Sequence, residues 1–124
     1  MVRGLVLIIE DDSDLGKAVI DVLEMLDFET ELVTDGSLAF ERIVARMPDV
    51  VLLDIHLPEV SGVDILNQIR VDIRLAKLKV VMVTADALRA EAVGDKADFV
   101  LLKPYSISQL SSLITRLIGD KTTE

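Results

Sequence analysis

Asp49-Val50-Val51-Leu52-Leu53-Asp54-Ile55-His56-Leu57-Pro58 is the most informative run of this chain. Four apolar residues, Val50–Leu53, lead into an acid with no polar residue among them. A strand with one wet face alternates in polarity, whereas a strand covered on both faces is apolar throughout, as in a parallel sheet. On either side of it, Leu5–Ile9, Val80–Thr84 and Phe99–Leu102 have the same nearly continuous character. Glu29–Val33 alternates instead and reads as an edge strand. Helical patterns fill the gaps. Leu15, Ala18, Val19, Val22, Leu23 and Leu26 recur at spacings of three and four, with Ser13 as N-cap. Ser37–Met47 predicts a second helix, stopped by Pro48, and Val63, Leu66, Ile69 and Ile73 mark a third. Ile107, Leu110, Leu113, Ile114 and Leu117 mark the last, between Ser106 and Gly119. Asp86–Val93 supports only a short helix, mostly alanine on its apolar side.

Strand and helix thus alternate five times, which predicts an α/β fold: a doubly wound (βα)5 parallel sheet with helices on both faces. The 124 residues suit a single domain over 1–120, with 121–124 as a tail. No cysteine is present, which excludes a disulfide scaffold, a cysteine nucleophile and thiolate metal sites. With 22 acidic against 13 basic residues the net charge is −9, so the surface repels phosphate backbones and direct nucleic-acid binding is not expected. One tyrosine, three phenylalanines and no tryptophan leave few platforms for stacking bases. No apolar run approaches the ~20 residues that span a bilayer, and the short run after Met1 is too brief for a signal peptide. The expectation is a soluble cytoplasmic domain.

In doubly wound folds, ligands bind beyond the carboxyl ends of the strands. Glu10, Asp11 and Asp12 follow the first strand, Asp54 ends the third, Thr84 the fourth, and Lys103-Pro104 follows the fifth. Clustered carboxylates repel one another unless a cation intervenes, and hard oxygens in this number suit Mg²⁺. A remaining carboxylate can attack phosphorus and form an aspartyl-phosphate. A lysine and a threonine hydroxyl then hold the phosphoryl oxygens as charge develops on them. Acids after a strand are also common as plain helix N-terminal residues, the role expected of Asp12 and Asp14. Asp35-Gly36 reads as a turn, and the His56 ring as a solvent-facing bystander.

These residues bear a resemblance to a known family. Leu7-Ile8-Ile9-Glu10-Asp11-Asp12, the Asp49–Pro58 run, Ser61-Gly62, Val83-Thr84-Ala85 and Leu102-Lys103-Pro104, in that order, resemble a response-regulator receiver domain of two-component signalling along essentially the whole chain. The resemblance implies a flavodoxin-like sheet of strand order 2-1-3-4-5. It implies that Asp54 accepts a phosphoryl group, with Thr84 and Lys103 as its helpers. It further implies a Mg²⁺ site of Glu10, Asp11, Asp54 and the His56 backbone carbonyl, Asp11 binding directly and Glu10 directly or through water. Gly62 matches the family's loop glycine, and the Lys103-Pro104 bond one that is usually cis there. The donor would be a sensor histidine kinase or phosphotransfer protein, and the signal would pass by a conformational change to a downstream partner or output domain. Leu101, Tyr105, Gln109 and Ser112 are candidate contacts on the face of the fourth helix, fifth strand and fifth helix. Such a domain is no turnover enzyme; it catalyses only its own phosphorylation and dephosphorylation.

Two features depart from the family pattern. The position three before the lysine, usually aromatic, is Val100, and Phe99 one earlier should face the other side of the sheet. The segment from Ala85 to Asp98 is also short, so the fourth helix should be reduced, with Gly94 and Asp95 breaking it early. Three other readings compete. A Mg²⁺-dependent aspartyl-nucleophile phosphohydrolase needs an acid two residues after the nucleophile, where His56 stands. A flavin carrier needs a phosphate loop that Glu10-Asp11-Asp12 would repel. A degenerate receiver acting as a docking module is countered by the full set of Asp11, Asp54, Thr84 and Lys103.

Overall fold

The computed structural model describes residues 2–119; the expected tail at 121–124 lies outside the described residues. The strands are β1 (Leu5–Ile9), β2 (Glu29–Val33), β3 (Val50–Asp54), β4 (Lys79–Thr84) and β5 (Phe99–Leu102). They alternate with α1 (Ser13–Met25), α2 (Ala39–Arg46), α3 (Gly62–Val71), α4 (Ala87–Val93) and α5 (Ile107–Ile118). All strands pair in parallel in the order β2-β1-β3-β4-β5, as the resemblance implied. β3 is buried along its whole length, which is why its sequence carries no polar alternation.

Two aliphatic cores sandwich the sheet. On one face Val19 and Leu23 of α1 and Leu110, Leu113 and Ile114 of α5 pack against Val6, Ile8, Leu52 and Val81. On the other, Ala39 and Ile43 of α2, Ile65, Leu66 and Ile69 of α3 and Val93 of α4 cover Leu7, Ile9, Leu53 and Met82. Burying each such leucine or isoleucine is worth ~1.5–3 kcal/mol, so the sheet is anchored from both sides.

Element boundaries differ from the sequence pattern for local reasons. Asp12, not Ser13, caps α1, its carboxylate accepting the N–H groups of Asp14 and Leu15. The second helix opens as a 3₁₀ turn at Gly36–Leu38, capped by Asp35. Ile73 lies outside α3 and is exposed, because Asp72 leaves the helix with extended backbone and caps a 3₁₀ turn over Ile73–Leu75. Leu15 and Ala18 are not core either; both are exposed and line an apolar groove of about 480 Å³ with Ala85, Pro104, Tyr105 and Ile107. The segments that enter β4 and β5 are tied to α3. Arg70 of α3 donates to the carbonyls of Lys96 and Leu78 and to the Asp98 carboxylate.

Candidate functional site

The register of the sheet gathers the strand ends. Ile9 pairs with Leu53, Asp54 with Val83, and Thr84 with Leu102, so Glu10, Asp54, Thr84 and Lys103 emerge along one edge. The Lys103 Nζ donates to Asp54 Oδ2 at 2.9 Å and lies 3.5 Å from Glu10 Oε1. The other Asp54 oxygen, Oδ1, accepts the His56 backbone N–H at 2.8 Å. Asp54, Glu10 and Thr84 are buried and Asp11 is exposed. One carboxylate oxygen each from Glu10, Asp11 and Asp54 lies within 4.8 Å of the others. The Lys103–Pro104 peptide is cis.

Local structure explains how these groups are held. Ser61 caps α3, accepting the Val63 N–H, and Gly62 opens the helix directly beneath the end of β3. A methyl at Gly62 would overlap the Asp54 carbonyl oxygen and lie 2.8 Å from Ile55 Cα, so only glycine lets the helix approach. Asp12 donates its backbone N–H to Glu10 Oε2, turning that carboxylate inward. The Thr84 carbonyl accepts the Lys103 N–H at 2.8 Å, tying the two helper residues together through the main chain.

Burial pushes the Glu10 carboxyl above its ordinary range; the Asp12 N–H and Lys103 oppose this, and the neighbouring Asp54 reinforces it. Burial pulls the Lys103 ammonium down, but Asp54 and Glu10 outweigh it and hold the amine charged, above the usual lysine range. Three carboxylates against one ammonium leave excess negative charge at the edge. An all-oxygen donor set of this kind matches a hard divalent cation.

Some positions behave differently from expectation. The His56 ring is exposed, yet its Nε2 sits 3.3 Å from Thr84 Oγ1 rather than standing free, because the loop after β3 bends toward the end of β4. Leu101 is 2% exposed and belongs to the core, so it cannot be a partner contact. Phe99 does face away from the Val100 side: it is exposed beside Gln109, Ser112 and Arg116 of α5. Asp86 caps α4 and donates its own N–H to Thr84 Oγ1 at 3.0 Å. The acid ahead of an alanine-rich helical stretch was the signal for that cap.

The profile of the response regulator receiver domain matches residues 6–115. The chain belongs to that family. The receiver is 36% identical over 125 residues to the sensory transduction protein RegX3 of Mycobacterium tuberculosis, covering 96% of this chain and 54% of that one. It thus spans about half the length of that relative. A CheY-like receiver domain from Methylobacillus flagellatus superposes with a TM-score of 0.82 at 28% identity, covering 91% of this chain and 97% of that one. The receiver domain of the sensor histidine kinase PA1611 from Pseudomonas aeruginosa superposes with a TM-score of 0.84 at 24% identity, covering 94% and 98%. That structure has a magnesium ion coordinated in its active site cleft. The present chain is a receiver domain of response-regulator phosphorylation signalling. Among the described residues no helix of this receiver is long and apolar enough to cross a membrane.

Proposed function

We propose that Asp54 accepts a phosphoryl group from a phosphohistidine donor in a Mg²⁺-dependent reaction. The observation that carries this is the Lys103–Asp54 pair at 2.9 Å beside the Glu10, Asp11 and Asp54 oxygens. An Asp54 carboxylate oxygen attacks phosphorus, the phosphorus–nitrogen bond of the donor breaks, and its electron pair leaves with the imidazole, which takes up a proton. Lys103 stays charged throughout and meets the negative charge on the phosphoryl oxygens. The Thr84 hydroxyl donates to a second phosphoryl oxygen. Glu10, Asp11, Asp54 and the His56 backbone carbonyl would hold Mg²⁺, whose charge screens the repulsion between carboxylate and phosphoryl group. Positioning and charge do most of the work, as in phosphoryl transfer generally. The domain then catalyses only its own phosphorylation and dephosphorylation.

A sensor histidine kinase or a phosphotransfer protein would be the donor, and a downstream partner or output domain the receiver of the signal. A cytoplasmic setting fits both. The apolar groove beside Lys103, lined by Leu15, Ala18, Pro104 and Ile107, supports docking of the donor next to the acceptor. To test the assignment, the protein is incubated with phosphoramidate and Mg²⁺, reduced with borohydride and mapped by peptide mass spectrometry. Homoserine at position 54 is expected; modification at Glu10, Asp11 or His56 instead would overturn it.

A further inference from the structure

The hydrogen bonds of Thr84 point to a second role for His56. Thr84 is fully buried, so no water reaches its hydroxyl. A threonine hydroxyl has one proton to give and two lone pairs to accept with. One lone pair already takes the Asp86 N–H at 3.0 Å. Among the described residues the remaining partner is His56 Nε2 at 3.3 Å. A buried hydroxyl proton left without an acceptor is costly, so the proton goes to Nε2 and the imidazole carries its own proton on Nδ1. Thr84 in this state makes no hydrogen bond to Asp54, whose two oxygens are taken by His56 N–H and Lys103.

We propose that the His56 ring is a positioning group that holds the Thr84 hydroxyl proton in the unphosphorylated domain and is released when Thr84 turns to a phosphoryl oxygen. This rests on Asp54 being the phosphoacceptor. The two bonds exclude each other, because the hydroxyl has a single proton. Phosphorylation therefore frees a ring that lines an open cleft with Leu57, Pro58, Glu59 and Arg89. The readout passes to the β3–α3 loop and the start of α4. It does not require an aromatic at position 100, where half-buried Val100 packs against the core that α3 and α4 cover.

The test follows the ring nitrogens of His56, the only histidine in the chain, by ¹⁵N NMR. The free protein should show the Nδ1-protonated tautomer. Mg²⁺ with beryllofluoride, a phosphoryl mimic, should shift Nε2 to the average of a solvent-exposed ring. In parallel, His56→Phe keeps a ring but removes the acceptor. It should bind beryllofluoride roughly two- to tenfold more tightly than wild type at fixed Mg²⁺, since one modest hydrogen bond no longer holds Thr84 back. An Nε2-protonated ring in the free protein, or beryllofluoride binding that leaves the ring signals unmoved, overturns the pairing alone. So does weaker binding by the phenylalanine variant with an unchanged fold by amide NMR. Failure of the wild type to bind beryllofluoride at all overturns the phosphoacceptor assignment along with it.

Discussion

Lys103 is the cation paired with Asp54 among the described residues, and it reaches Glu10 as well. Removing it with Lys103→Ala leaves the acidic edge uncompensated and withdraws a donor from the developing phosphoryl charge. Phosphorylation by a small phosphodonor should slow by about 10²-fold, the usual cost of one such donor. Single-turnover rates with saturating Mg²⁺ measure this. Gly62 matters for a different reason, the lack of room over the Asp54 carbonyl. Gly62→Ala should cost about 1–3 kcal/mol in urea denaturation, as overpacking does, and slow phosphorylation by displacing the β3–α3 loop. Asp54, Lys103, Thr84, Glu10 and Asp11 were legible in the sequence because each stands at or just past a strand end, where strand period and topology fix its place. The ring contact of His56 was not. It depends on the path of a loop, and no periodicity describes that path.

Between the elements, the edge strand β2 is tied to α2 by charge. Glu31 accepts from Arg42 Nε at 2.6 Å and also pairs with Arg46, which reaches Glu29 at 2.7 Å. The Arg42 guanidinium holds the Glu31 carboxyl below the usual carboxylate range; burial opposes this, and Arg46 adds to the lowering. A carboxyl whose folded pKa is depressed stabilises the fold above its unfolded pKa, and that contribution fades as pH falls through the folded value. Glu31→Gln should therefore lower the thermal midpoint by a few degrees at pH 7 in low salt, by less in 1 M salt, and progressively less as pH falls below the ordinary glutamate range. Melting curves across pH check both the sign and the window. β1, β3 and β4 were readable because they meet the core on two faces, and β2 because it alternates at an edge; β5 is the other edge strand, and its apolar run, which read as covered on both faces, leaves Phe99 and Leu102 exposed. Helix limits were not readable, since they turn on caps. Asp12 and Asp72 redirect the chain through side-chain bonds that an apolar stripe does not reveal. The same stripe could not tell that Leu15 faces a groove rather than the core.

Across the entire domain, parallel pairing in the order β2-β1-β3-β4-β5 brings residues 10, 54, 84 and 103 to one edge of a sheet packed on both faces. The acids gathered there repel one another until an ion joins them, so Mg²⁺ should stabilise the folded state. At tenfold over its dissociation constant the gain is about 1.4 kcal/mol, a rise of roughly 4–6 °C in the thermal midpoint. Asp11→Asn should abolish most of that rise; an undiminished rise would place the ion elsewhere on the acidic surface. The most direct test of phosphorylation at Asp54 is the intact mass of the protein after incubation with acetyl phosphate, with and without Mg²⁺, for wild type and Asp54→Asn. A gain of one phosphoryl group is expected in the wild type, requiring the metal and absent from the variant. An equal gain in Asp54→Asn, or none in a folded wild type that binds Mg²⁺, would contradict it.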